Sequence, residues 1–335
     1  MKLNLILTLA KVLLNVAAGG ATIATILGFA GGLWWIFELL DHPRPQYCLI
    51  LVSAIVVGGI YRQSWSFVWF IPLLLNLALI LPLFFAPSDK VSQVKDTPLR
   101  VIHINLDRHN LDTTPAIDYI NKQDADLIFL QELTSKWLAD LKSNLSRYQI
   151  VTSLPKENSQ GVAMLVPIQP SSKIAIIATQ IIHLPTYSER PLIETTWRWE
   201  DRDVVILSLS FIRPRNSSTS AFQKIEFNAV ADWSLNQEKE KKHEVIIIGD
   251  LNSTPWSSRF REFLYQTNLI NSQRGFGLQP TWLAGLPSLL TIPIDHCFHS
   301  KSIVTVNRGT GANIGSDHLP VFVEFRSGIE INQKG

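Results

Sequence analysis

The chain places carboxylates, amides and a histidine directly behind apolar runs. Gly249-Asp250-Leu251-Asn252 follows Glu244-Val245-Ile246-Ile247-Ile248. A run of branched aliphatics bounded by glycine reads as a strand covered on both faces. Asp250 and Asn252 are two residues apart, so on extended chain they face one pocket. One would serve as base or ligand, the other as a neutral positioning group. Four similar clusters stand at other strand ends. Asn105 ends Leu99–Asn105, with Asp107 just beyond, and Glu132 follows Asp126–Gln131. Asp295 lies in Pro293-Ile294-Asp295-His296, and Asp317 and His318 lie in Gly315-Ser316-Asp317-His318-Leu319-Pro320-Val321. Carboxylates gathered with a histidine suit hydrolysis at a phosphate assisted by a hard cation. Mg²⁺ takes oxygen ligands and keeps waters, so one or two carboxylates suffice to hold it. One carboxylate can position or deprotonate water, and a histidine held by a second can donate to the phosphate or the leaving oxygen. Taken singly, Glu132 also suits a helix cap near Thr134, and Asp317 and Asn105 suit turns.

These groups need a scaffold of strands with helices between them. Strands are expected at Leu99–Asn105, Asp126–Gln131, Gly161–Val166, Ile174–Ile182, Leu192–Trp199, Val204–Ser210, Val245–Ile248, Ile294–His299 and Val321–Phe325. Helices are expected at Pro115–Lys122, Ser135–Leu145, 219–240 and near Arg259–Gln266. Many strands with a few helices point to an α/β or α+β sandwich of two sheets with helices outside. His103, His183, His243, His296 and His299 are assigned structural or solvated places.

The N-terminal third is different in kind. Residues 65–86 carry no charge, and at about 1.5 Å per residue they can cross a hydrocarbon core. Trp65 and Trp69 lie near one end, as interfacial anchors do. Residues 12–37 and 46–61 are further apolar runs. The reading is a membrane domain over 1–86 with three spans, the second and third joined at Tyr61-Arg62-Gln63-Ser64. A polar linker follows at 87–98, then a soluble domain at 99–327 and a polar tail at 328–335. Lys2, Lys11 and Arg62 share one side, which the positive-inside rule makes cytoplasmic, so the soluble domain is expected outside the cytoplasm. Residues 1–97 hold six of the 30 Lys and Arg and four of the 28 Asp and Glu, leaving 24 of each beyond. No basic stripe announces a long nucleic-acid track. Two cysteines, Cys48 and Cys297, make neither a disulfide framework nor a zinc set.

The order of the clusters is more specific than any one of them. Strand–Asn, Leu-Gln-Glu, Gly-Asp-x-Asn, Ile-Asp-His and Ser-Asp-His-x-Pro-Val resemble the endonuclease/exonuclease/phosphatase superfamily over roughly Leu99 to Phe325. The three apolar runs and Arg44-Pro45-Gln46-Tyr47 look like a membrane-anchored branch of it. The resemblance implies a four-layer sandwich, two mixed β-sheets face to face with helices outside. It implies Mg²⁺, with Mn²⁺ as a substitute, and cleavage of a phosphodiester or phosphomonoester. Glu132 would be the principal metal ligand, beside Asn105 and Asp317. Asp250 would activate water, Asn252 would position water and phosphate, and Asp295 would hold His318 against the scissile phosphate. Substrates range over nucleic acid, lipid headgroups and small molecules; no obligate protein partner is implied. One position departs from the pattern. Ser210 stands where many members have a phosphate-contacting His or Tyr, and its hydroxyl is no cation. Arg213 or Arg215 could supply the charge. A catalytically weakened or silent phosphate-binding module on the same fold is the competing expectation.

Overall fold

The computed structural model describes residues 2–86, 98–170 and 174–328. The expected linker, apart from Pro98, and the tail beyond Gly328 lie outside the described residues. The N-terminal helices are α1 (Lys2–Phe29), a short α2 (Trp35–Leu39), α3 (Arg44–Ile60) and α4 (Phe70–Ile80), the last flanked by 3₁₀ turns at Ser64–Trp69 and Leu81–Phe84. The soluble part begins with β1 (Leu99–Asn105), α5 (Thr114–Lys122), β2 (Leu127–Gln131), α6 (Ser135–Asn144), β3 (Tyr148–Leu154), β4 (Val162–Pro167) and β5 (Ile174–Ile182). It continues with β6 (Leu192–Trp199), β7 (Arg202–Ser210), α7 (Ser217–Lys239), β8 (Glu244–Asp250), α8 (Ser258–Thr267), β9 (Ile270–Asn271), β10 (Asp295–His299), β11 (Ile303–Thr310) and β12 (Val321–Ser327).

The strands form two six-stranded sheets, ordered β11-β12-β1-β2-β4-β3 and β5-β6-β7-β8-β10-β9. Each is mixed: β1 runs parallel to β2 and β7 to β8, and their other pairings are antiparallel. Side chains alternate across each strand, so one set meets the opposite sheet and the other meets helices. Val101, Leu127, Phe129, Ile206, Ile246, Ile248, Cys297 and Val323 form the core between the sheets. Ile102, Ile104, Ile128 and Leu130 turn outward onto α5 and α6 through Ile117, Ile120, Trp137 and Leu141. Val205, Leu207, Val245 and Ile247 turn outward onto α7 and α8 through Phe227, Val230, Phe260 and Phe263. This is the expected four-layer α/β (α+β) sandwich.

Three strands escape the sequence pattern. β3 alternates weakly, β9 has two residues, and β11 carries Asn307, Arg308 and Gly309 inside a strand that bulges between Thr305 and Asn307. All three lie at sheet edges, and unlike the edge strand β5 none carries a run of aliphatic residues long enough to mark it. The N-terminal boundaries also differ. The run 12–37 is not one helix: α1 ends at Phe29, and the separate α2 starts at Trp35. Two stretches, Asn4–Phe29 and Ser64–Phe84, are long and apolar enough to cross a membrane, and Arg44–Ile60 is shorter. They meet through small and branched residues, Ala18, Ala21, Leu51, Ala54 and Leu73, which allow close helix approach. Outward they present Leu13, Val16, Ile23, Val56, Ile71 and Leu74, all exposed.

These helices dock on the sandwich rather than hang from it. Glu38 accepts hydrogen bonds from the Ser258 hydroxyl and from the Arg259 amide (3.3 Å), at the N-terminus of α8 where a negative charge is favoured. Trp256 Nε1 donates to the His42 carbonyl (3.2 Å), and the His42 ring hydrogen-bonds Thr254 (3.1 Å). Arg44 pairs with Asp41 and donates to Asn76 (2.9 Å), so the buried charge is matched and hydrogen-bonded.

Gly249 has no room for a side chain. A Cβ there would strike the carbonyl oxygen of Leu209 on the parallel neighbour β7, against which Gly249 is registered. Gly249→Ala must therefore part β7 from β8 beside Asp250. A loss of about 2 kcal/mol or more is expected, read as a lower midpoint in thermal unfolding of the full chain.

Candidate active site

The alternation that builds the core also builds the site. Going up β1, β2, β7, β8 and β10, the inward-facing positions change from aliphatic to polar at one end of the sandwich. His103 and Asn105 continue the face of Val101, and Gln131 continues that of Phe129. Ser208 and Ser210 continue that of Ile206, Asp250 continues that of Ile248, and Asp295 precedes Cys297 on the same face. Gln131 donates to Ser208 across the gap between the sheets (3.1 Å).

Asp295 is wholly buried and both of its oxygens are engaged. His318 Nδ1 donates to Oδ2 (2.8 Å) and His103 Nε2 to Oδ1 (3.0 Å). Burial pulls the His318 imidazole down, but the charges of Asp295, Asp250 and Asp317 outweigh it and hold the ring protonated, at about 10. Burial likewise pushes the Asp295 carboxyl up, and His318 and His103 overcome it and hold it well below the usual carboxylate range. His318 is positioned by Ser316, whose hydroxyl accepts from the His318 amide (3.0 Å) and donates to the Asn105 carbonyl (2.8 Å).

Asp250 is buried beside this pair. Burial, then the charge of Asp295, pushes its carboxyl up to about 7, against the pull of His318 and the Asn252 amide. Asn252 reaches it by a turn and not by extended chain. Its φ is +47°, its amide donates to Asp250 Oδ1 (2.8 Å), and its Nδ2 donates to Asp250 Oδ2 (3.0 Å) and to the Phe211 carbonyl (3.0 Å). Left-handed backbone recurs around the cleft, at Asp107 (φ +53°) and Glu132 (φ +60°).

Asp107, Glu132, Arg190, Ser210, Arg213, Asp250, Asn252, Trp282, Asp317 and His318 line one cleft of ≈ 470 Å³. Glu132 accepts from the Arg108 amide with Oε2 (3.2 Å), and Oε1 has no partner among the described residues. Asn105 is buried, its Oδ1 accepting from the Asp107 amide (3.0 Å) while its Nδ2 is unpartnered. Asp317 accepts from Trp282 Nε1 (3.2 Å). Glu132, Asn105 and Asp317 offer oxygen donors only, which suits a hard cation that retains waters. Asp250, Asp295 and His318 also bring ligand-type atoms within 4.8 Å of one another. With Asp295 engaged by two imidazoles, that trio reads better as a hydrogen-bonded charge network than as a cation cage. A larger cavity, ≈ 620 Å³, opens beside Pro98, Arg100, Asp126 and Tyr148 and shares no residue with this cleft.

Two residues were not anticipated. Arg190 lies directly on Ser210: Nε donates to its carbonyl (2.9 Å) and Nη2 to its hydroxyl (3.1 Å), with Glu226 3.6 Å away. Nη1 has no partner among the described residues. Arg190 precedes β6, about twenty residues upstream of Ser210 in the chain, so no local pattern joins them. The arginines expected to replace the missing charge also line the cleft: Arg213 lies over the Trp282 ring (4.4 Å), and the Arg215 amide donates to the Thr219 hydroxyl at the start of α7. The second is His103, expected to be structural or solvated; it shares a face with Asn105 and so meets Asp295 from the other sheet.

The model of the endonuclease/exonuclease/phosphatase family matches residues 103–318, more than half of the chain and the whole of this constellation. The chain belongs to that family. Among curated proteins none matches the sequence. Solved structures of similar fold include D. rerio TDP2 complexed with a single-strand DNA product, at 15% identity and TM-score 0.56, covering 69% of this chain and 100% of that one. The human Nocturnin catalytic domain with bound sulfate is 17% identical, TM-score 0.52, covering 69% and 94%. A Bacteroides thetaiotaomicron mannosyl-6-phosphatase is 18% identical, TM-score 0.52, covering 68% and 99%. At these identities the likeness is one of fold, and the fold is the family's two-sheet sandwich.

The raised His318 proton affinity has a stability consequence. Its folded value, about 10, lies above the ordinary 6.5, so its contribution is complete below pH 6.5 and is lost as pH rises toward 10. Thermal midpoints of the wild type are expected to fall over that window. In Asp295→Asn the fall should be much flatter, because the charge that holds the proton is gone.

Proposed function

We propose that this chain is a membrane-anchored, divalent-metal-dependent phosphoester hydrolase, with Mg²⁺ the preferred ion and Mn²⁺ a substitute. The observation that carries the reading is the charged His318–Asp295 pair facing Asp250 and Asn252 in a cleft that also holds Glu132. Glu132, with Asn105 and Asp317, would hold the cation, which offsets phosphoryl charge when bound. Asp250 takes a proton from water as the water oxygen bonds phosphorus. The ester P–O bond breaks as the new one forms, and the leaving oxygen takes a proton from solvent or from His318. Asn252 holds Asp250 in place through its backbone and side-chain amides. His318, protonated, lies against a phosphate oxygen, and Asp295 fixes its tautomer and ring plane.

Ser210 favours the silent binding module, because its hydroxyl is neither a cation nor an efficient acid. Arg190 answers that objection. Its guanidinium leans on Ser210 and lines the cleft, and arginine pairs well with phosphate oxygens. Arg213, whose guanidinium lies over the Trp282 ring, would be a second phosphate contact.

The anchor reading rests on the exposed faces of α1, α3 and α4. A soluble protein rarely shows so large a continuous apolar surface, whereas lipid covers it without cost. Three helices then make a multi-pass anchor, and the positive-inside rule puts the catalytic domain outside the cytoplasm.

Turnover of bis(4-nitrophenyl) phosphate by the full chain is expected with Mg²⁺ and should vanish with EDTA. Glu132→Ala, Asp250→Asn and His318→Ala are each expected to lower it about 100-fold or more, and Asn252→Ala less. Arg190→Gln should cost about 10-fold to 100-fold with folding intact. If no phosphoester in a panel of DNA, RNA, sugar phosphates and this diester is turned over, and Glu132→Ala changes nothing, the silent module is the correct reading.

A further inference from the structure

The segment Leu283–Leu290 (Leu-Ala-Gly-Leu-Pro-Ser-Leu-Leu) carries no charge, and three of its leucines stand in the open. Leu286, Leu289 and Leu290 are 47%, 52% and 54% exposed. The hydrolytic reading leaves this segment without a role. Its position is specific, however. Gln46, at the start of α3, donates to the Leu289 carbonyl (2.9 Å), so the loop sits against the end of an apolar helix. At that same end of the helices, exposed Leu33 and Trp34 precede α2, and exposed Phe84 and Phe85 follow α4. The loop therefore extends the apolar surface of the helices beyond the helices themselves, with aromatic residues beside it as at a bilayer interface.

The loop is equally continuous with the cleft. Ala284 donates to the Asp317 carbonyl (3.0 Å), and Trp282 donates to the Asp317 carboxylate and carries Arg213 on its ring. The loop that leaves the cleft after Asn252 also stands on the helices, because Thr254, two residues on, bonds the His42 ring. Two segments that adjoin the cleft, Leu283–Leu290 and the loop after Asn252, are thus each in contact with the apolar helices.

We infer that Leu283–Leu290 dips into the bilayer and holds the cleft at headgroup depth, so that the substrate is the phosphate ester of a membrane lipid headgroup. This deepens the phosphoesterase and anchor readings and rests on both. A headgroup phosphate lies at the interface, so a cleft fixed there meets it without drawing the lipid out of the membrane. A long nucleic acid would instead need a basic track along the sandwich, and the chain beyond residue 97 has equal numbers of basic and acidic residues. The step conserves atoms: water adds to phosphorus, one ester P–O bond breaks, and the leaving alcohol keeps its oxygen and gains a proton.

The test uses the full chain in vesicles of phosphatidylcholine and phosphatidylglycerol with Mg²⁺. Headgroup release is measured beside turnover of soluble bis(4-nitrophenyl) phosphate and of single-stranded DNA. The comparison is with the triple variant Leu286→Ser, Leu289→Ser, Leu290→Ser. Separately, a nitroxide at Leu289→Cys, in a Cys48→Ser, Cys297→Ser background, reports contact with lipid. Expected are headgroup release by the wild type, a loss of about tenfold or more in the triple variant with the soluble diester within twofold, and a nitroxide more accessible to oxygen than to an aqueous nickel complex. A nitroxide in water, equal release by the triple variant, or cleavage of DNA and diester but not lipid overturns the inference and leaves the phosphoesterase standing. Failure on all substrates, the diester included, overturns the phosphoesterase itself.

Discussion

A carboxylate at zero exposure between two sheets is the constraint on which the rest of this molecule turns. Asp295 comes from one sheet. Its partners, His103 on β1 and His318 just before β12, belong to the other. An isolated buried charge is prohibitive, and removing one partner of such a group costs about 3–5 kcal/mol. The two sheets are therefore clamped at the end where the cleft opens, and aliphatic packing holds the remainder. The clamp also sets the electrostatics. It keeps His318 protonated, and through Asp295 it raises the proton affinity of Asp250 next door. Two groups of raised proton affinity thus stand side by side, an imidazole held charged and a carboxyl pushed up to about 7.

The same inward-facing positions serve packing and chemistry at different heights. Low in the sandwich they carry Val101, Phe129, Ile206 and Ile248; at the top they carry Asn105, Gln131, Ser210 and Asp250. A polar group here is exposed to one cleft and otherwise enclosed, so its hydrogen bonds are few and directed. Each loop leaving the top is shaped by that demand. Glu132, Asp107 and Asn252 accept left-handed backbone, and the Asn252 side chain braces Asp250.

The helical domain adds a second constraint. A hydropathy profile reads residues 38–44 as a turn between two apolar helices. In the structure they are a polar joint: Glu38 lies at the N-terminus of α8, His42 at the loop beyond Asn252, and Arg44 within the helices. Sandwich and helices meet directly at the loop that follows β8, so the orientation of the cleft is set by these contacts.

Much of this was legible in the sequence, and for a physical reason. Strand interiors covered on both faces must be continuous aliphatic runs, and polar residues at their ends are conspicuous because they break the run. That identified β1, β2, β7, β8 and β10, the positions of Asn105, Glu132, Asp250, Asp295 and His318, and with them the family. Edge strands β3, β9 and β11 carry no such run and went unseen. Arg190 and His103 belong to the tertiary structure alone. Arg190 meets Ser210 because the β6–β7 pairing folds one segment back upon another, and His103 becomes an Asp295 partner only when the sheets close face to face. Sequence determines which residues lie on which face of each strand; which faces are brought together, and so which charges feel one another, is decided by packing between elements far apart in the chain.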